Sequence, residues 1–388
     1  MAVINVSFML SNLLAPSLAH RLRSKWNQAI CTGLYIVYYL CFQFTHCIVF
    51  FATCIMMGSA TAIWNQGYNG YLLEISTRKS LEKNQALCWM FTSMGMLAAG
   101  SVYMTVTALR ETTGIEDASY RNYSDDEIRY FYLAFAACSA VGLVIFLLLP
   151  NRDVADSMNS SRPTNVSLKQ QLGLIFSTLT HRRTLLLLPF YLYGGLYYSF
   201  WLSIFPTTIQ FTTALSSYKN LTAYFGMIFS VGSVLMSSVT IFVSRRIDNF
   251  GLRPAMAIAA IVHACIFILI TLSVPRWSTI GPNDEPSLLI QPNIYTNLAV
   301  ALLFGFGDAA YNTARTVMAS LIIPESRAQT FAVTRIFHAG AGATMFFLAS
   351  GLSIYTYMAI LSTVLLAASI SFLIASRIIL RETEKSSI

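Results

Sequence analysis

Five polar residues lie inside apolar stretches late in the chain, where they could do chemistry. Asp308, Asn312 and Arg315 follow one another at i, i+4 and i+7, so on a helix they share one face. Arg335 and His338, three apart in the next apolar stretch, can present a second polar face to them. A contact of Asp308 with Arg335 or His338 could line a cavity for a proton or a solute. The alternative is a buried polar clasp that orients two helices, which we favour because a clasp needs only pairing.

A second polar group occupies the apolar stretch at 47–70. Asn65 and Asn69 are one helical turn apart, with Gln66 beside them. Their amide groups need hydrogen-bond partners that lipid cannot supply. An interior cavity and a hydrogen-bonded seam between helices explain this group equally well.

Both groups must be positioned by helices that cross a membrane. Hydrophobic residues make up 55% and charged residues 11% of the 388 positions, whereas soluble domains carry about a quarter charged residues. Lipid bilayer is therefore the expected surrounding, and a span needs about 20 mainly apolar residues. Eleven stretches qualify, at about 1–19, 28–45, 47–70, 86–108, 130–149, 184–205, 222–243, 254–273, 294–322, 329–350 and 356–378. The predicted fold class is an all-α membrane protein with about eleven transmembrane helices.

The basic residues define an orientation. Most of the 25 Lys and Arg residues fall in alternate loops, which the positive-inside rule assigns to the cytoplasm. The amino end is then extracytoplasmic and the carboxyl end cytoplasmic, in the plasma membrane or an endomembrane. The net charge of +8 follows from this topology and implies no nucleic-acid partner.

The chain divides at a polar segment, 151–183, which is predicted to be a cytoplasmic linker. Before it, 1–150 forms a bundle of five spans. After it, 184–388 forms a bundle of six spans and a short cytoplasmic tail. Two short basic loops, at 18–25 and 245–254, match each other when the two halves are aligned. This alignment leaves the helix at 184–205 without a counterpart, so a 6+6 repeat has lost its first helix.

The second of these loops resembles the loop signature of the major facilitator superfamily. Asp248, Gly251 and Arg253 occupy matching positions, while the first loop keeps Arg21 but has His20 opposite Asp248. The resemblance implies a fold of two helical bundles. Because the signature supports switching between inward and outward states, the altered first copy argues against such switching.

Four longer segments resemble one branch of that superfamily, the uncoordinated-ninety-three-like, ion-channel-regulatory branch, with the domain-containing-eleven subgroup nearest. They are GSATAIWNQGYNGYL at 58–72, NQALCWMFTSMG at 84–95, the stretch at 185–215, and LFGFGDAAYNTA at 303–314 with QTFAVTRIFHA at 329–339. The resemblance implies an accessory subunit that regulates or escorts another membrane protein, such as a potassium channel.

Other signals are few. Asn122 and Asn220 stand in sequons on the expected extracytoplasmic face and are predicted glycosylation sites. Walker, GxSxG and HExxH motifs are missing, and all seven cysteines lie within or beside spans. We therefore expect no enzyme activity, no cofactor and no metal site.

Three functions remain open. The first is the accessory or regulatory subunit, which the altered loop and the missing helix also favour. The alternative is a secondary transporter that moves a small solute or ion by alternating access through the polar clusters. The third is a truncated, non-functional product of a gene whose full form has twelve spans.

Overall fold

The computed structural model describes residues 1–44, 46–110, 124–150, 154, 156–158, 167–218, 220–349 and 351–386. These residues are almost entirely helical. The α-helices in chain order are α1 Ala2–Ser11, α2 Ala15–Arg21, α3 Ser24–Cys41, α4 Cys47–Glu74, α5 Leu81–Arg110, α6 Asp125–Leu148, α7 Leu168–Thr180, α8 Arg182–Leu186, α9 Leu188–Ser199, α10 Phe205–Phe211, α11 Leu221–Val243, α12 Arg253–Ser273, α13 Ile294–Leu321, α14 Arg327–Leu348 and α15 Ile354–Ser386.

Within the described residues, eight helical segments are long and apolar enough to cross a bilayer: α4, α5, α6, α11, α12, α13, α14 and α15. The other three predicted spans correspond to α1 with α2, to α3, and to α8 through α10, which are interrupted or less apolar. The membrane-embedded, all-helical class is confirmed. The number of eleven spans stays a prediction.

Two of these spans are interrupted for local chemical reasons. Between α1 and α2 the buried Asn12 donates its side-chain N–H to the carbonyl of Phe8 at 2.7 Å, and Pro16 lies in the first turn of α2. Between α9 and α10 the residues Phe200–Ile204 form one π-helical turn, with Pro206 just after it. Proline has no backbone N–H, so the regular hydrogen-bond ladder cannot pass through it.

Helix packing repeats along the chain. In the first half α4 packs on α1 and α3, and α3 packs on α6. In the second half α13 packs on α11 and α12, and α12 packs on α15. The most extensive packing between the halves is that of α1 on α14 and of α5 on α11, and α5 also reaches α13.

One pairing occurs only in the second half. There α9 packs on both α14 and α15, and its aromatic residues centre the main apolar core with Phe304 and Phe372. In the repeat, α5 corresponds to α14 and α6 corresponds to α15. A counterpart of α9 in the first half would therefore pack on α5 and α6. No helix in the described part of the chain takes that position. As a result α5 is held mainly by α11.

The α5–α11 seam is narrow and partly polar. The Ser230 hydroxyl donates to the backbone carbonyl of Ser93 at 2.8 Å, and the hydroxyls of Ser93 and Ser233 bond to each other. Gly100 lies against Ala223 and Met227. Small residues let two helices approach closely where lipid gives no hydrophobic drive for association.

The loops 22–23, 75–80, 244–252 and 322–326 lie together at what we name the basic end of the molecule. Here Gln66 of α4 donates to the backbone carbonyl of Ala328, at 3.3 Å. Arg327 donates to the carbonyl of Ser320 at 3.0 Å and to that of Met158. The Gln66–Ala328 bond joins the two halves at this end, and Arg327 holds Met158 of the linker against the second half.

Candidate functional site

The Asp308 carboxyl group lies inside the helix bundle. It is on α13, roughly 20 Å from the basic end of that helix, and its side chain is 3% exposed. The indole N–H groups of Trp89 from α5 and Trp201 from the π-helical turn approach the carboxyl without reaching hydrogen-bond geometry. The packing of three distant segments therefore creates the surroundings of Asp308.

Arg315 and Asn312 form a connected polar face with Asp308. The Nε and Nη2 atoms of Arg315 donate to the Asn312 side-chain oxygen, at 3.2 and 2.8 Å. The Asn312 amide donates in turn to the backbone carbonyl of Asp308 at 2.9 Å. Arg315 is held by a neutral amide, and the charge of Asp308 acts on it only from outside ion-pair distance.

Arg335 and His338 on α14 have unused hydrogen-bonding atoms. The Nε of Arg335 and the Nδ1 of His338 are buried without a partner, although the Arg335 side chain as a whole is partly accessible. The ring of Tyr198, from α9, lies 5.3 Å from the His338 ring. Neither residue of α14 forms the hydrogen bond or ion pair with Asp308 that the clasp hypothesis requires.

The charges in this region do not balance. Within the described residues no Asp or Glu side chain reaches ion-pair distance of Arg315 or Arg335. Arg335 lies instead within electrostatic range of Arg315, Tyr68, Tyr198 and Tyr311. Two formal positive charges thus face one negative charge, Asp308, inside an aromatic surrounding.

Sequence reasoning missed Trp89, Trp201 and Tyr198. Nothing in their local sequence separates them from the other members of the 5 Trp and 20 Tyr residues. Only the packing of α5 and α9 on α13 and α14 makes them neighbours of the charged groups.

The second polar group is divided among different partners. Asn65 donates to the carbonyl of Thr61 in its own helix at 2.8 Å, whereas Gln66 reaches across to Ala328. The side-chain nitrogen of Asn69 is buried without a partner, as are both polar side-chain atoms of Asn27. Gln66 therefore belongs to the joint at the basic end.

The loop-signature residues lie at the basic end and differ in their burial and contacts. Gly251 is buried, and a Cβ there would lie 2.8 Å from Val317 and 2.9 Å from Glu82. Arg253 donates to the Ser376 hydroxyl at 3.2 Å, while Arg21 and Asp248 are exposed. The neighbouring Asn249 accepts a hydrogen bond from Arg78. This loop therefore docks on the α4–α5 loop of the first half.

Of the two predicted glycosylation sites, only Asn220 lies within the described residues. Asn122 lies outside the described residues. Asn220 directly precedes α11, with its side-chain oxygen buried. Among the described residues no cluster of His, Cys, Asp or Glu could hold a metal ion.

Solved structures of similar fold define the class of protein. The E. coli fucose:proton symporter FucP matches with a TM-score of 0.63 and 12% identity, covering 96% of this chain and 90% of the symporter. The xylose transporter XylE from E. coli matches with a TM-score of 0.61 and 16% identity, covering 97% and 85%. These matches show that the protein is a multi-pass membrane protein with the major facilitator fold. Because the sequence identities are so low, the matches establish the fold alone.

The sequence places it within a family. The family described as ion channel regulatory protein UNC-93 matches residues 1–373. The UNC93-like protein MFSD11 of Xenopus laevis is 25% identical over 389 residues, which cover 96% of this chain and 85% of the relative. That of Xenopus tropicalis is 24% identical over the same coverage. The chain belongs to the UNC-93 family.

Proposed function

We propose that the protein is an accessory subunit that regulates or escorts another membrane protein, a potassium channel being the kind of partner its family indicates. The observation that carries this proposal is an uncovered face of α5. We define the open α5 face by its exposed residues, Phe91, Met94, Gly95, Ala98 and Ser101. They recur at helical spacing, on the side of α5 that faces away from Ser93 and the α11 seam.

The repeat supplies a direct comparison. On α14, which corresponds to α5, the equivalent face is covered by α9: a Cβ on Gly195 would meet the carbonyl of His338, and one on Gly342 would lie 2.7 Å from the Ser199 hydroxyl. At Gly95 a Cβ would meet nothing within 4 Å. The open α5 face therefore fits one apolar transmembrane helix with small residues.

Site-specific photocrosslinking in native membranes tests this directly. A photoreactive residue at Phe91 is expected to give one discrete adduct with a channel subunit. The matched position is Ile261 on α12, also strongly exposed, where only lipid is expected. An adduct within the same polypeptide, or identical adducts at both positions, would refute the proposal.

A pair of glycine variants adds a second test. Gly95→Leu fills the open α5 face and is expected to abolish the adduct and the co-purification of the channel subunit. Gly33→Leu on α3, where a Cβ also meets nothing within 4 Å, is expected to leave both intact. Equal retention by the two variants would contradict a partner helix on α5.

A second candidate function is secondary transport, favoured by the charged groups of α13 and α14 inside the bundle. Binding sites of such transporters typically lie near the midplane between repeats. Solute flux into vesicles containing the purified protein, abolished by Asp308→Asn, would support transport and displace the accessory role. Flux that survives the substitution would exclude Asp308 from the pathway.

The topology completes the proposal. The division is into 1–150 and 184–388, joined by the linker 151–183, with eleven spans, the amino end extracytoplasmic and the carboxyl end cytoplasmic. Asn122 and Asn220 then carry glycans, and the protein acts without enzyme activity, cofactor or nucleic acid. Epitope tags at the two ends of intact cells should differ in accessibility, and glycosidase treatment should shift the wild type but not an Asn122→Gln, Asn220→Gln double variant. Tags on the same side would refute an odd number of spans.

A further inference from the structure

Two buried polar atoms near Tyr198 have no hydrogen-bond partner among the described side chains. Arg335 and His338 come from successive turns of α14, and Tyr198 comes from the adjoining helix α9. Buried polar atoms in folded proteins are nearly always paired. Here Nε of Arg335 and Nδ1 of His338 are both buried and unpaired, and their side chains lie on the same face of one helix.

Arg335 and His338 lie well inside α14, where a polar atom without a hydrogen-bond partner is energetically unfavourable. Arg335 lies roughly 12 Å and His338 roughly 17 Å from the basic end of α14. Nearer the basic end, Gln66 joins the first half to Ala328 of the second, and Arg327 bonds Met158 of the linker. The buried Nε of Arg335 has no carboxylate within ion-pair distance among the described residues, which is unfavourable for a charged group. The neighbouring Arg315 is already bonded to Asn312.

We propose that Arg335, His338 and Tyr198 form a binding site for a small organic anion with one carboxylate group. The planar guanidinium fork matches a carboxylate with two parallel hydrogen bonds. The Tyr198 hydroxyl can donate a further one. The site includes a charged group of α14 that the transport alternative also uses, but ligand binding requires neither transport nor the accessory role.

The charge of the site selects a monoanion. Arg315 and Arg335 contribute two positive formal charges and Asp308 one negative charge, so one further negative charge makes the region neutral. A dianionic phosphate would leave an excess negative charge beside Asp308. Tyr68, Tyr198 and Tyr311, all in electrostatic range of Arg335, give the ligand's carbon skeleton an aromatic surrounding.

Thermal unfolding of the purified full-length protein in phosphatidylcholine nanodiscs tests the site with defined probes. Benzoate is expected to raise Tm by a few degrees in a saturable manner, because a ligand that binds only the folded state stabilises it. Benzamide, of the same shape but without charge, is expected to have no effect. Sulfate, a dianion throughout the neutral range, should act far more weakly. Equal responses to benzoate and benzamide, or a stronger response to sulfate, would overturn the carboxylate site without any variant being needed.

Variants of Arg335 distinguish a ligand site from a structural contact. Arg335→Gln is expected to weaken benzoate binding roughly ten- to hundredfold, the loss typical of a hydrogen-bonded charge. Without benzoate its Tm should stay equal or rise, because an unpaired buried charge has been removed. Arg276→Gln, a control on the loop before α13, should behave as wild type in both respects. A Tm that falls in Arg335→Gln while benzoate still binds with wild-type affinity would refute the assignment.

Discussion

The contact between α9 and α14 gives the sharpest test of the packing. In Gly195→Ala the new Cβ would collide with the carbonyl oxygen of His338 and lie 2.8 Å from its carbonyl carbon. It would also lie 2.9 Å from the Ala341 Cβ. Two of these three neighbours are backbone atoms, so no side-chain rotation can relieve the collision. The helices must instead move apart by roughly 1 Å or more, because the contact with the carbonyl oxygen is the shortest of the three.

That separation can be converted into an energy. A gap of about 0.5–1 Å loses a quarter to a half of the dispersion attraction across the contact, and overpacking in well-packed interiors costs about 1–3 kcal/mol. We therefore expect Gly195→Ala to lower the free energy of unfolding by about 2 kcal/mol. Gly95→Ala is the matched control: its Cβ meets nothing, so the better helix propensity of alanine should leave the stability equal or raise it by about 0.5–1 kcal/mol.

Thermal unfolding followed by tryptophan fluorescence, with both variants in one detergent, measures this difference. Gly195→Ala should unfold at a clearly lower temperature than wild type, and Gly95→Ala should not. Equal Tm values for the two variants would mean that α9 and α14 are not in contact at Gly195. The comparison on which the open α5 face rests would then fail too.

Two further predictions concern hydrogen bonds of opposite kinds. Tyr193→Phe removes a hydroxyl that lies 2.6 Å from the Nδ1 of the fully buried His263, so it should lower the free energy of unfolding by about 1–3 kcal/mol. Tyr357→Phe is the control, because its hydroxyl is buried without a partner. This variant should be as stable as wild type or more stable in the same thermal assay. Arg183→Ala breaks a two-bond ion pair with the half-exposed Glu382 and a hydrogen bond of 3.1 Å to the Ile322 carbonyl. We expect a loss of about 1–2 kcal/mol in the free energy of unfolding, of which only the ion-pair part shrinks in high salt, measured by chemical unfolding at two ionic strengths.

The sequence predicted the helices better than their interruptions. Long apolar runs bounded by basic or proline residues locate α4, α11 and α12 to within a few residues, because the hydrocarbon thickness fixes the length required. The break at Asn12 was not foreseen, since one asparagine in an apolar run gives no sign that its amide will bond Phe8. The π-helical turn before Pro206 has a local cause, and the proline is the signal that could have revealed it.

The site was foreseen only along single helices. Helical periodicity predicts that Asp308, Asn312 and Arg315 share a face, and their hydrogen bonds run along that face. Contacts between helices are different in kind. The approach of Trp89 to Asp308 joins α5 to α13, and it depends on how α5 packs against α11, which no local pattern records.

The two proposed sites lie apart from each other, so each can serve as the control of the other. Gly95 follows Ser93 by two residues, a rotation of roughly 200° about α5, and so it faces away from the α11 seam. Arg335 lies on α14, within electrostatic range of Tyr198 on α9. Gly95→Leu should therefore lose the Phe91 adduct while its Tm still rises with benzoate. Arg335→Gln should lose the benzoate response while the adduct remains. If either substitution removed both properties, the change would reflect damage to the bundle rather than loss of a site, and the assignment of separate functions to α5 and α14 would fail.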